Sequence, residues 1–298
     1  MSPRRAPTIQ QLPVELLVDT FAAADEVESW GPFGFGRGRG IAKLMLVCRS
    51  WRDIALSTPY FWRHIDINSA EPSPRVQLLL ERSSGCTIDV RLLYRGLQED
   101  GPTPRSVQPL LPHVSRIRSL DVNLTHEDFP FVLPLFAREL PMLETLEIIP
   151  VRAGTRAIEW TDLDLSRKAH PKLQSLSIRR VFLPPPGHSW CTLRVLKLYD
   201  YPTTSDGPLP LQDFLQVLSN SRASLEELYL WFGCIQHSEI CAALSQDVGS
   251  HMSYRNMVSL VHLPRLRIFS AQGPFVLIAT IQQALSLPDD ISQVDIRT

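Results

Sequence analysis

One aliphatic pattern, with steps of three and then two, recurs along the C-terminal two thirds of the chain and limits what it can fold into. It runs Ile117-Leu120-Val122, Leu143-Leu146-Ile148, Leu173-Leu176-Ile178, Leu193-Leu196-Leu198 and Leu225-Leu228-Leu230. A degraded copy, Leu266-Phe269-Ala271, follows, and Ile291-Val294-Ile296 restores the pattern. Apolar residues two apart point to one face of a β-strand, so each copy predicts a short strand with one buried face. Several copies share a lead-in: Leu140-Pro-Met-Leu143, His170-Pro-Lys-Leu173, Ser189-Trp-Cys-Thr-Leu193 and Leu263-Pro-Arg-Leu266. Helical stretches are expected in some of the gaps, over Phe131–Leu140, Leu211–Ser219, Ser238–Val248 and Val276–Leu285.

A strand repeated at intervals of 20 to 41 residues resembles the strand portion of a leucine-rich repeat. There the first apolar residue closes a turn and the next two enter a solenoid core. A regular repeat places Asn or Cys eight residues after the first leucine. Here those positions hold Thr125, Val151, Val181, Tyr201, Gly233 and Pro274, so an irregular array with turns of unequal length is expected. The final copy stops two residues before the end of the sequence. A solenoid needs a cap over its last coil, so the expectation is a member truncated at its C-terminus.

The N-terminal segment has a different period. Leu12-Pro13-Val14-Glu15-Leu16-Leu17 opens a short amphipathic helix, with Pro13 suited to its first position and Glu15 complementing the dipole. Leu17 and Phe21 share one helical face. A second helix is predicted from Lys43 to about Leu56, where Leu44, Val47, Cys48, Trp51, Ile54 and Ala55 recur at steps of three and four. Thr58-Pro59 ends it, and Phe61-Trp62-Arg63-His64-Ile65-Asp66-Ile67 alternates like a strand. Further on, Arg75–Arg82 is expected to be helical and Cys86–Leu92 a strand.

Taken in order, Leu12-Pro13-Val14-Glu15-Leu16-Leu17, Val47-Cys48-Arg49-Ser50-Trp51-Arg52-Asp53-Ile54-Ala55 and Ser57-Thr58-Pro59-Tyr60-Phe61-Trp62 resemble the F-box-like domain of basidiomycete fungi. Val107–Val122 resembles the same family, where a helix leads into a repeat strand. The resemblance implies an α/β chain: a small all-α F-box module over 9–67, interrupted by an insertion at about 25–40, then a leucine-rich-repeat-like domain over 68–298. That second domain would be a curved parallel sheet with helices on its convex side. It also implies a partner, a Skp-type adaptor that tethers the chain to a cullin–RING ubiquitin ligase. The matching adaptor-binding positions are Leu12, Pro13, Glu15, Leu16, Leu17, Val47, Cys48, Arg49, Trp51 and Leu56. A module of about 50 residues has too small a core to use all its apolar surface internally, so Leu12, Pro13 and Leu16 are expected to face a partner. The repeats would hold an unknown protein substrate, with Trp30, Trp160, Trp190 and Trp231 as candidate anchors. The alternative is a non-catalytic interaction scaffold with no role in ubiquitin transfer.

Composition narrows the field. The formal charge is −1, which gives no long-range attraction to nucleic acid or anionic membrane. No stretch nears the roughly 18 apolar residues that span a bilayer. Five scattered cysteines form no disulfide framework, which suits a cytoplasmic or nuclear location. The Gly34–Gly40 run lacks the flanking strand that a phosphate loop needs, and a solvated loop is expected. Cys234, His237, Cys241 and His251 match no standard zinc spacing and are expected to be ordinary residues. No catalytic motif, metal or cofactor is predicted.

Overall fold

The computed structural model describes residues 12–29, 39–68, 73–93, 103–125, 127–150, 168–179, 192–200, 211–232 and 260–297. The chain forms two compact units, residues 1–66 with 73–89, and residues 67–72 with 90–298.

In the first unit, helices α1 (Val14–Ser29), α2 (Arg39–Leu44) and α3 (Arg49–Ser57) pack against one another. A 3₁₀ turn at Pro59–Trp62, strand β1 (His64–Ile67) and helix α4 (Pro74–Arg82) follow. Aromatic packing makes the centre. The fully buried Phe21 ring lies 4.8 Å from Trp51 and 6.3 Å from Phe61. The Trp62 indole N–H donates to the Ala55 carbonyl (2.9 Å), which satisfies the one polar atom of a buried ring. The α1–α2 contact requires a glycine, because a Cβ on Gly40 would lie 2.9 Å from Asp25 Oδ1 and 3.0 Å from its Cα. That same Oδ1 accepts from the Ile41 N–H at 3.4 Å.

Two expectations are corrected here. The single helix predicted over Lys43–Leu56 is two helices, α2 and α3, separated by a turn at Met45–Val47. Cys48 is extended (φ −158°, ψ 169°), and its Sγ accepts from the Trp51 N–H at 3.5 Å, so it caps α3 instead of continuing α2. The apolar periodicity runs unbroken across this break, which is why it suggested one element. The strand predicted from Phe61 begins only at His64. Alternation would send Phe61 and Trp62 to opposite faces. The proline-led 3₁₀ turn buries both. The helix and strand expected next do form, as Pro74–Arg82 and as β2 (Ile88–Leu93). The Ser73 hydroxyl caps α4 by accepting from the Arg75 N–H (3.3 Å).

The second unit holds a large parallel sheet. From β2 onward come β3 (Ile117–Asn123), β4 (Thr145–Ile148), β5 (Ser175–Arg179), β6 (Val195–Tyr199), β7 (Glu227–Trp231), β9 (Ile268–Gln272) and β11 (Gln293–Arg297), lying side by side in chain order. The pairs from β3 to β11 are all parallel. Two-residue strands β8 (Val261–His262) and β10 (Leu285–Ser286) form a separate parallel pair.

The aliphatic pattern falls into exact register. Leu120, Leu146, Leu176, Leu196, Leu228, Phe269 and Val294 form one row, and Val122, Ile148, Ile178, Leu198, Leu230, Ala271 and Ile296 the next. From β3 to β9 every one of these is buried. Each strand is entered in the same way, because the backbone N–H after the first apolar residue donates to its counterpart in the preceding copy. These bonds are Glu144 to Arg118, Gln174 to Glu144, Arg194 to Gln174, Glu226 to Arg194, Arg267 to Glu226 and Ser292 to Arg267, all between 2.7 and 2.9 Å. The proline lead-ins are turns: Leu143, Leu173 and Leu266 donate to the carbonyls of Leu140, His170 and Leu263. Proline at the second position has the φ that such a turn requires.

Connections are uneven. Before β3 come a single helical turn, α5 (Pro104–Val107), and a 3₁₀ stretch, Gln108–Arg116. The helix expected over Phe131–Leu140 is instead a 3₁₀ turn at Phe129–Phe131 and a four-residue helix, α6 (Leu133–Phe136). Pro134 fits only the first turn of a helix, which prevents one continuous helix through this stretch. α7 (Leu211–Ser221) and α8 (Phe275–Ala284) match their expected positions. Thr125 stands where a regular repeat has asparagine, and its hydroxyl does a similar job by accepting from the Asp128 N–H (3.2 Å). Ser238–Val248 lies outside the described residues, as do Val151, Val181, Tyr201 and Gly233.

Candidate functional site

The first unit leaves an unusual amount of apolar side chain in solvent for its size. Leu12 is 41% exposed, Val14 53% and Leu16 51%. On the α2–α3 turn, Leu46 is 78% and Val47 60% exposed, while Leu56 and Tyr60, at the far end of α3 and just beyond it, are each 38% exposed. Burying a side chain of this size is worth about 1.5–3 kcal/mol. These side chains lie on or beside three mutually packed helices and are left in water.

Helical geometry divides α1 sharply. Leu17 and Phe21, four residues apart, are buried, whereas Leu16, one residue away, is exposed. The α2–α3 turn is held from both sides. Cys48 caps α3, and the Arg52 side chain reaches back to donate Nε to the Met45 carbonyl (3.2 Å). This projects Leu46 and Val47 into solvent.

Of the positions singled out in the sequence, Leu12, Pro13, Glu15, Leu16, Val47, Arg49 and Leu56 are exposed, and Cys48 is half-buried. Leu17 belongs to the core, and Trp51 is half-buried with its ring against Phe21. Val14, Leu46 and Tyr60 share the exposed apolar character without having been singled out. Leu46 was hidden because the sequence placed it inside a helix, whereas it sits in the turn. Arg52, not among the positions singled out, braces that turn.

Elsewhere in this unit the polar chemistry is internal. Arg63 Nε donates to His64 Nε2 (3.3 Å), and His64 Nδ1 lies 3.2 Å from the buried Asp89 carboxylate. Arg63 stacks on Tyr60 (3.9 Å) and Arg82 on Trp62 (4.5 Å).

Among the described residues no cluster of three or more His, Cys, Asp or Glu is placed to hold a metal ion. The Cys234–His251 set and the Gly34–Gly38 run fall outside them, as do Trp30, Trp160 and Trp190. Trp231, on β7, is described and is 41% exposed. No helix among the described residues is long and apolar enough to cross a membrane.

No curated protein matches the chain. Residues 9–68, the segment that carries every one of these exposed helical positions, match the family model described as F-box-like, and the chain therefore holds an F-box-like domain at its N-terminal end.

Proposed function

We propose that this chain is a substrate receptor of a Skp–cullin–F-box type ubiquitin ligase, non-catalytic in itself. Residues 9–68 dock a Skp-type adaptor, and the strand region, an irregular leucine-rich-repeat-like domain, holds a protein substrate. The observation that carries this reading is the exposed apolar set on an F-box-like unit. Leu12, Pro13 and Leu16 on the α1 end, Val47 with Cys48 and Arg49 at the α3 start, and Leu56 at its finish supply the contacts. Val14, Leu46 and Tyr60 extend them. Leu17 and Trp51 act from beneath by holding the helices that present these side chains. Glu15 and Arg49, both exposed, would add one charge of each sign to the docking surface.

The repeat assignment rests on the registered aliphatic rows and the recurring entry bond. Ubiquitin transfer needs only that the substrate be held close to the charged ligase arm, so the receptor contributes proximity. Co-purification of the full chain with a Skp-type adaptor tests the reading. Leu12→Ala with Leu16→Ala should weaken that complex by about 2 kcal/mol or more, as central apolar anchors do. Unchanged affinity in the double variant rejects this face, and a wild-type chain that captures no adaptor is an interaction scaffold instead.

A further inference from the structure

The face of the large sheet opposite the aliphatic rows carries its own registered rows. One runs Asp121, Glu147, Ser177, Lys197, Tyr229, Ser270 and Asp295. The next, two residues further along each strand, runs Arg179, Tyr199, Trp231, Gln272 and Arg297. At its centre the Tyr199 and Trp231 rings meet edge to face at 4.7 Å. Trp231 keeps much of its surface in solvent, so the pair is a rigid apolar platform on a polar face.

The charges on this face are almost all matched internally. Arg91 pairs with Asp121 (3.2 Å), Arg179 with Asp200 (2.7 Å) and Arg297 with Asp295 (2.9 Å). Lys197 lies over the Tyr229 ring at 5.1 Å, and the Tyr229 hydroxyl donates to Glu227 (3.1 Å). Among the described residues of this face, Glu147 and Glu227 make no ion pair; Glu227 accepts the Tyr229 hydroxyl, whereas no hydrogen bond or ion pair is seen for Glu147. It is half-buried and stands directly opposite Asp121, a like-charge pairing that destabilises a sheet. Burial first, and Asp121 second, push its carboxyl above the ordinary value, and Lys197 and Arg91 only partly offset them. The face therefore carries a half-buried carboxylate at Glu147 with no ion pair, beside Asp121 in register, and an open aromatic site at Trp231.

We infer that this sheet face binds an extended protein segment that sets a lysine or arginine against Glu147 and an apolar or aromatic side chain on Trp231. This deepens the reading of the strand region as the substrate-holding part, on which it rests. Glu147 and Trp231 are three strands apart, about 14 Å, and offset along the strands by about 7 Å. An extended segment of about five residues covers that span. A basic side chain would be drawn by the carboxylate, while an acidic one would meet both Glu147 and Asp121.

The test is selection of a random-peptide display library on the full-length chain. Enriched peptides should carry Lys or Arg about five positions from an aromatic or large aliphatic residue. Glu147→Lys should invert the charge preference towards Asp and Glu, and Glu147→Gln should lower recovery of the basic peptides about tenfold. Trp231→Ala should lower it by a similar factor, with the charge preference intact. An unfolding midpoint for Glu147→Gln no lower than that of the wild type separates lost contact from lost fold. Enrichment of no peptide, or of the same basic peptides by wild type and Glu147→Lys, overturns the inference. Adaptor co-purification is read separately. A chain that selects basic peptides but captures no adaptor fails as a ligase receptor and keeps this binding face.

Discussion

Leu16 and Leu17 are neighbours in sequence with opposite physical roles. Leu17 is 3% exposed, so Leu17→Ala should cost about 2–4 kcal/mol of stability through lost transfer energy and an unfilled cavity. Leu16 is 51% exposed, so Leu16→Ala should change stability by less than about 0.5 kcal/mol. Urea unfolding of the two variants checks this, and equal losses would mean that the face of α1 has been assigned wrongly. Cys48 supplies a second residue-scale prediction. A thiol is a weak acceptor, and its contact with the Trp51 N–H is long at 3.5 Å. Cys48→Ser should raise the unfolding midpoint by up to about 1 kcal/mol equivalent, and Cys48→Ala should not. Glu147 gives a pH dependence of defined sign. Its folded carboxyl is raised, so the folded state holds a proton that the unfolded state has already released. Its contribution to stability is present below the ordinary carboxylate value and is lost as pH rises through the folded value. Glu147→Gln should therefore flatten the fall in unfolding midpoint across that window. A steeper fall in the variant would contradict the sign. Glu226 works the other way. The hydrogen bond from Arg194 lowers its carboxyl, so its contribution is lost as pH falls.

At the scale of elements, the sheet depends on two features, the aliphatic rows and the turns that set their register. Leu146 and Leu196 are fully buried in one row, and replacing either by Ala should cost about 2–5 kcal/mol. Gly273, just after β9, has φ +153°, and a Cβ there would lie 2.7 Å from Phe232 Cβ. Gly273→Ala should thus cost more than about 1 kcal/mol. The same unfolding curves check both, and a neutral Gly273→Ala would show that the connection into α8 relaxes freely. These strands were legible because a period of two with fixed spacing to a proline turn is local information. The α2–α3 break was not, since Leu44, Val47, Cys48 and Trp51 keep helical spacing straight through it. What ends α2 is the extended backbone of Cys48 and the brace from Arg52 to Met45, neither of which alters hydrophobic periodicity. Phe61 and Trp62 misled for a related reason. Alternation with the polar residues after them imitated a strand, but the proline-led 3₁₀ turn buries both rings. The exposed set was partly legible: Leu12, Leu16 and Val47 stood out in the sequence, whereas Leu46 could be found only once its turn was seen.

For the whole molecule, the two units have distinct chemistries. The first exposes large aliphatic side chains on packed helices, and the second presents a polar and aromatic sheet face opposite an apolar one. That division suits a receptor with an adaptor-facing and a substrate-facing part, and it predicts that variants in one part leave the other's binding intact. Glu147→Lys should capture the adaptor as wild type does, and Leu12→Ala with Leu16→Ala should select the same basic peptides. The measurement that tests the central claim most directly is co-purification of the full chain with a Skp-type adaptor, with the Leu12/Leu16 double variant alongside. The account predicts a complex with the wild-type chain that the double variant loses or weakens by about thirtyfold or more. A wild-type chain that captures no adaptor, or a double variant that captures it equally well, would contradict it.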